Sequence, residues 1–234
     1  MTREEFIENL REDYKIAKVL SDKNGYRVLR LKHRALGRDI ILRSYPIPVS
    51  AYEKLKNISH PNMPEILDVL TLDDGQIILE EFIDGITVAE VLYSDSYTYK
   101  GAKRVIEGVA FALDTLHSMD IVHRDIKPEN IIIKSDGDVV LLDLNASREY
   151  NKKKRTDTVV LGTVGYAPPE QFGISQSDPK SDIYALGVLL NVMLTGAHPS
   201  EKLARGKAGR IVLRCTQISP EKRFSSIKKL IEAL

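Results

Sequence analysis

Apolar and polar positions along this chain follow two different periods. In the first third, β-branched and apolar runs at 15–20, 26–31, 39–45, 65–72 and 76–82 are separated by Asn24-Gly25, Leu36-Gly37 and Asp73-Asp74-Gly75. Such runs between turn signals predict an antiparallel sheet of about five strands. Ahead of them, Thr2-Arg3-Glu4-Glu5 has the form of a capping box and leads into Phe6, Ile7 and Leu10, predicting a short amphipathic helix packed on the sheet. From residue 87 the period becomes helical. Thr87-Val88-Ala89-Glu90 is a second capping box, and Val105, Val109, Ala112, Leu113 and Leu116 fall on one helix face. Residues 183–194 are apolar almost all round, as in a buried central helix, and 211–234 hold two more helical patterns parted at Pro220. The pattern predicts an α+β chain, a small β-rich lobe followed by a larger helical one, with a ligand cleft expected between them.

Composition narrows the classes. The 234 residues are 43% hydrophobic and 29% charged, which excludes disordered and low-complexity chains. Thirty-four Lys and Arg against 33 Asp and Glu leave a net charge of +1, so no global field attracts nucleic acid or a membrane surface. The apolar stretch 183–194 is interrupted by Asn191 and is shorter than the roughly 20 residues a membrane helix needs. With Cys215 as the single cysteine and a charged first segment, the chain is expected to be cytoplasmic.

The chemistry concentrates in His123-Arg124-Asp125-Ile126-Lys127-Pro128-Glu129-Asn130, followed by an apolar strand, a turn at Asp136-Gly137, a second strand and Asp143. A strand pair of this kind returns Asn130 and Asp143 to one end. There an amide oxygen and a carboxylate suit Mg²⁺, a hard cation that takes oxygen ligands. Asp125 is left to accept a proton, and the Lys127 charge to meet a phosphate.

These residues resemble the catalytic loop H-R-D-x-x-x-x-N of the eukaryotic-like protein kinases. Gly162-Thr163-Val164-Gly165-Tyr166-Ala167-Pro168-Pro169-Glu170 resembles the end of an activation segment, Asp182 with Gly187 the start of the buried central helix, and Arg223 the partner of Glu170. The style is similar to bacterial serine/threonine kinases. The resemblance implies a bilobal fold with 1–81 as small lobe, 82–85 as hinge and 86–234 as large lobe. It implies catalytic roles for Asp125, Lys127, Asn130 and Asp143, with Mg²⁺ on Asn130 and Asp143. ATP would lie against Val28, Ile41 and Ile132, with Arg43 on its α/β phosphates, Leu79 as gatekeeper and backbone groups of Glu80 and Phe82 on the adenine. A protein Ser or Thr hydroxyl is the implied acceptor, and Thr156 or Thr158, after the basic run Lys152-Lys153-Lys154-Arg155, the implied sites of autophosphorylation.

The nucleotide half departs from the family. Ser21, Lys23 and Tyr26 stand where its loop has three glycines, with Gly25 alone in an Asn-Gly pair that suits a plain hairpin. Arg43 replaces the strand-three lysine, Ile41 the adenine-roofing alanine, and Ala51 the helix glutamate that pairs with the lysine, which leaves Arg43 in need of another partner, for which Asp143 is expected. Glu53 is nearby, but Ser50-Ala51-Tyr52-Glu53 reads as a capping box of its own. Asp143-Leu144-Asn145 stands for Asp-Phe-Gly. Three functions therefore stay open: a Ser/Thr protein kinase with a rebuilt ATP site, a pseudokinase acting as a binding or scaffold module, and a small-molecule phosphotransferase.

Overall fold

The computed structural model describes residues 1–150, 163, 165–172 and 177–234. It divides into two compact units, Met1–His60 with Pro64–Ile83, and Pro61–Met63 with Asp84–Leu234.

The first unit is built on a five-stranded antiparallel sheet of β1 (Tyr14–Lys23), β2 (Tyr26–His33), β3 (Asp39–Tyr45), β4 (Ile66–Leu72) and β5 (Gly75–Glu81), in the order β1-β2-β3-β5-β4. Asn24 and Gly25, with φ of 54° and 79°, close β1 on β2 in a two-residue turn of the kind whose twist matches a hairpin. Helix α1 (Arg3–Asn9) starts at the Thr2 capping box as the sequence predicts, and Ile7 joins Leu29, Leu31, Leu42 and Ile77 in a core on one face of the sheet. Arg3 ties the helix to the hairpin tip, donating from Nη1 to the Gly25 carbonyl at 3.0 Å and to Ser44 Oγ at 3.1 Å. Helix α2 (Ser50–Leu55) buries Ala51, Tyr52 and Leu55. It does not use the expected capping box. Val49 is its N-cap and, with no polar atom in its side chain, makes no cap bond; Ser50 falls inside the first turn, and the Val49 N–H is held by Gln76 Oε1 at 3.0 Å.

The second unit is mainly helical. Helix α3 (Val88–Ser94) begins at the Thr87 capping box, and α4 (Tyr99–Ser118) buries the predicted face of Val105, Val109, Ala112, Leu113 and Leu116. Helix α5 (Pro179–Thr195) is the buried central helix. Its one interior polar break, Asn191, is satisfied, with Nδ2 donating to the Ala197 and Lys202 carbonyls and Oδ1 accepting from Ala204 N–H. Gly187 lets α6 (Gly206–Cys215) approach, since a Cβ there would stand 2.3 Å from Cys215 Cβ. The Cys215 thiol is fully enclosed and pushed up to about 12 by burial, so it is a packing group. Helix α7 (Ile227–Ala233) closes the chain.

Short strands complete the unit: β6 (Ile86–Thr87), β7 (Ile121–Val122), β8 (Ile131–Ile133), β9 (Val139–Leu141) and β10 (Arg148–Glu149), paired as β6-β8-β9 and β10-β7. Asn62 anchors β9 from the far side of the sequence, donating Nδ2 to the Val139 carbonyl at 2.7 Å and accepting from Leu141 N–H at 2.9 Å. Among the described residues no helix is long and apolar enough to cross a membrane.

Candidate active site

The loop between β7 and β8 is held in shape by one buried carboxylate. Asp182, in the first turn of α5 and fully enclosed, accepts from His123 N–H (2.9 Å), Arg124 N–H (2.8 Å) and His117 Nε2 (2.7 Å). Burial alone pushes this carboxyl up, but the bonds and the two imidazoles outweigh it and hold it below the usual carboxylate range. The backbone N–H groups it ties down belong to a strained turn, for Arg124 has φ of 70°. His123 Nε2 donates to the Leu142 carbonyl at 3.1 Å while Nδ1 accepts from Asp125 N–H at 3.3 Å, which fixes the ring between the two strands of the site. Gln171 closes the loop from below, donating Nε2 to the Arg124 carbonyl at 2.8 Å.

The loop presents Asp125. Its carboxylate accepts from Lys127 Nζ at 2.6 Å, from Asn130 Nδ2 at 2.9 Å and from Thr163 Oγ1 at 2.6 Å, and Lys127 also donates to Thr163 Oγ1 at 3.1 Å. Burial works upward on this group too, but the bonds from Lys127, Thr163 and Asn130 prevail and leave its carboxyl below the ordinary range. Asp125 is therefore an ionised acceptor with a cation and a hydroxyl at its oxygens. Thr163 marks a position where a hydroxyl meets both Asp125 and Lys127.

Asn130 and Asp143 arrive from the two strands β8 and β9. The Leu142 N–H donates to the Asn130 carbonyl at 2.8 Å, which sets their relative position. Asn130 spends its amide N–H groups on the Asp125 carboxylate and carbonyl, which sets its Oδ1 on the side away from Asp125. Asp143 sits at φ 64° and accepts from Asn145 N–H at 3.1 Å, a short turn that aims the carboxylate out of the strand. Among the described residues no group of three or more His, Cys, Asp or Glu could hold a metal. An amide oxygen and a carboxylate oxygen, with water and phosphate completing the shell, suit Mg²⁺ better than a metal that wants a full protein cage. Ile132 lies in β8, opposite Val140 and Thr87.

In the first unit the ladder settles which side chains share a face. Val28 pairs with Arg43, Ile41 with Glu80, and Arg43 with Ile78, so Val28, Ile41, Arg43 and Glu80 lie on one face. Leu79 pairs with Leu42 and packs into the opposite core with α1, so its side chain is not on the face with Val28 and Ile41, where the gatekeeper was expected. Glu80 is on that face, its side chain turned inward and paired with Arg43, Nε donating to Oε1 at 2.8 Å. Phe82 carries the Arg30 guanidinium 3.9 Å over its ring. Sequence reasoning missed Glu80 as a side-chain partner, although the alternation Ile78, Glu80 against Ile41, Arg43 carried the signal.

The activation-segment residues Thr156 and Thr158 lie outside the described residues. Beyond them, Glu170 meets Arg223 in a buried, two-pronged pair, Nη1 to Oε1 at 2.5 Å and Nη2 to Oε2 at 3.0 Å, the partnership that the resemblance implies.

A family model for the protein kinase domain matches residues 49–233. The chain belongs to the protein kinase family. Over 147 residues, 62% of this chain, the kinase domain is 35% identical to the probable serine/threonine-protein kinase PknB of Lactococcus lactis, 23% of which is covered. It is 36% identical over 149 residues to the serine/threonine-protein kinase PrkC of Bacillus subtilis, covering 63% of this chain and 23% of that one. With the serine/threonine-protein kinase PknL of Mycobacterium tuberculosis it shares 35% over 174 residues, 74% of this chain and 37% of that one. The match thus spans 23% to 37% of the length of these bacterial relatives. The family match begins after β3, so the departures at the hairpin and at Arg43 fall outside it.

Proposed function

We propose that this kinase domain transfers the γ-phosphoryl group of ATP to Ser or Thr hydroxyls of proteins. The observation that carries the reading is the Asp125 carboxylate, ionised and held by Lys127, Asn130 and the Thr163 hydroxyl. An acceptor hydroxyl beside Thr163 donates to Asp125, which orients its oxygen on the γ-phosphorus and takes the proton as the new P–O bond forms. The bond from the γ-phosphorus to the β–γ bridging oxygen breaks, and ADP leaves with that oxygen. Lys127 faces the charge on the transferring group. Asn130 Oδ1 and Asp143 are the groups that would hold Mg²⁺, which supplies neutralisation of the phosphate charge. Arg43 is assigned to the α/β phosphates and Val28, Ile41 and Ile132 to the adenine. With Glu80 rather than Leu79 on the face of Val28 and Ile41, the backbone contacts expected at Glu80 and Phe82 move one residue on, to Glu81 and Ile83.

A second reading, a pseudokinase that binds partners without transfer, is favoured by the closed Asn24-Gly25 hairpin, which offers no open loop of amides to a phosphate. Thermal shift with ADP and ATP, with and without Mg²⁺, followed by phosphoamino-acid analysis of the products, separates the two. Metal-dependent stabilisation with phosphoserine or phosphothreonine supports the kinase. Stabilisation without any phosphoamino acid, or none at all, overturns it.

A further inference from the structure

The face of the sheet that carries Val28 and Ile41 also holds Ile66, Val69 and Ile78, with Arg30 opposite Ile41 and Gln76 opposite Tyr45. Into this face the chain places an arginine and a glutamate, exposed by only 6% and 3%. Two buried charges there are costly to desolvate, and a pair of aliphatic side chains would fill the same space without that cost. A charged pair at such a place points to a task other than stability.

Its geometry indicates the task. Arg43 Nε donates to Glu80 Oε1 at 2.8 Å, Nη2 reaches the same oxygen at 2.7 Å, and Nη1 donates to Tyr45 Oη at 3.3 Å. Because Ile41 is directly paired with Glu80, and Arg43 is two residues further along β3, the two side chains are diagonal neighbours on adjacent strands. Their separation is set by backbone hydrogen bonds of the ladder. Helix α2 meets the unit with Ala51, Tyr52 and Leu55 inward, Tyr52 lying 6.2 Å from the Tyr45 ring, while its one acidic residue, Glu53, is exposed. Glu80 thus gives Arg43 a carboxylate from the sheet.

We propose that Glu80 is the positioning residue for Arg43: a carboxylate built into β5 that aims the guanidinium at the α/β phosphates of the nucleotide, so that the phosphate-binding cation is oriented by the sheet rather than by helix α2. This rests on the kinase reading above and deepens it. A guanidinium gripped along its Nε–Nη2 edge has its plane fixed, which an ammonium on a flexible stem would not. Arginine in place of the strand-three lysine, alanine in place of the helix glutamate and the carboxylate of Glu80 then act together.

The test is the dependence of affinity on phosphate. Binding of adenosine, ADP and ATP with Mg²⁺ is measured by calorimetry for the full chain and for Glu80→Gln, Glu80→Asp and the pair Arg43→Met with Glu80→Met, with melting temperatures alongside. The parent is expected to prefer ADP to adenosine. Glu80→Gln should reduce that preference by about tenfold, Glu80→Asp by less, and the double variant by at least as much as Glu80→Gln while melting close to the parent. A merely structural Glu80 would lower the melting temperature and leave the ADP to adenosine ratio unchanged, and that result overturns the proposal. Should Glu80→Gln not fold, Glu80→Asp decides: an unchanged ratio overturns the assignment, a reduced one supports it. A parent that binds neither adenosine nor ADP brings down the kinase reading itself, and the proposal with it.

Discussion

Replacing Asp182 by Asn tests how the catalytic loop is held. The parent carboxylate accepts three hydrogen bonds in a fully enclosed site, two from the backbone N–H groups of His123 and Arg124 and one from His117. Asn has one accepting oxygen and one donating NH₂. If the oxygen serves His123 N–H and His117, the NH₂ faces Arg124 N–H, donor against donor. That orphaned buried N–H costs about 1–3 kcal/mol, and the two surviving bonds, no longer to a charge, weaken by about 1 kcal/mol each. The expected loss is about 3–5 kcal/mol, a large part of the 5–15 kcal/mol typical of a domain. The Arg124 turn, at φ 70°, loses one of its clamps, so Asp125 is displaced and transfer falls as well. Urea unfolding followed by circular dichroism measures the change, with the midpoint falling and the slope unchanged. The pH dependence has a definite sign. The folded carboxyl lies below its unfolded value, so its stabilisation is complete above about pH 4 and is lost as pH falls through the folded value. A loss under about 1 kcal/mol, or an acid sensitivity equal to the parent's, would refute this account of the loop.

Three further outcomes follow from named contacts. Thr163→Val removes one bond that lowers the Asp125 carboxyl, so the acid limb of kcat should move to higher pH, while Thr163→Ser leaves it in place; an unmoved limb or a shift toward lower pH contradicts the assignment. Gly85→Ala puts a Cβ 2.4 Å from the Ile133 carbonyl oxygen and 2.6 Å from Ile132 Cγ2, which should cost about 1–3 kcal/mol and lower the melting temperature; an unchanged melt contradicts the packing at β8. Intact-mass and peptide mapping after incubation with Mg²⁺-ATP should place added phosphate on Thr156 or Thr158, and phosphate found only elsewhere removes them as autophosphorylation sites.

Where periodicity decides the structure, the sequence was a good guide. Alternating runs yielded the five strands, the all-round apolar run yielded α5, and the Thr2 and Thr87 capping boxes fixed the starts of α1 and α3. The cluster of Asp125, Lys127 and Asn130 was legible because a single loop carries them, so their spacing in sequence is nearly their spacing in space. The errors lie where tertiary register intervenes. Leu79 was placed at the nucleotide by resemblance, but the face of a strand is set by its ladder, and pairing with Leu42 turns Leu79 into the α1 core. Ser50-x-x-Glu53 has a capping form, yet Ser50 falls inside the first turn and the Val49 N–H is held by Gln76, a residue on β5 that no local pattern brings to Val49. In favour of Asp143, Glu80 was passed over as a partner of Arg43 for the same reason. It is 37 residues away and adjacent only through the sheet.

Phosphoryl transfer by the parent and by Asp125→Asn tests the central claim most directly. Both proteins are incubated with γ-labelled ATP, Mg²⁺ and a Ser/Thr-containing protein acceptor, and nucleotide affinity is measured on the same preparations. The parent should transfer label to Ser or Thr. Asp125→Asn should bind nucleotide within about twofold of the parent and lose transfer by about 10²–10⁴-fold, the contribution typical of a positioned base. Equal transfer by the two proteins, or a parent that binds Mg²⁺-ATP and transfers nothing, would contradict it.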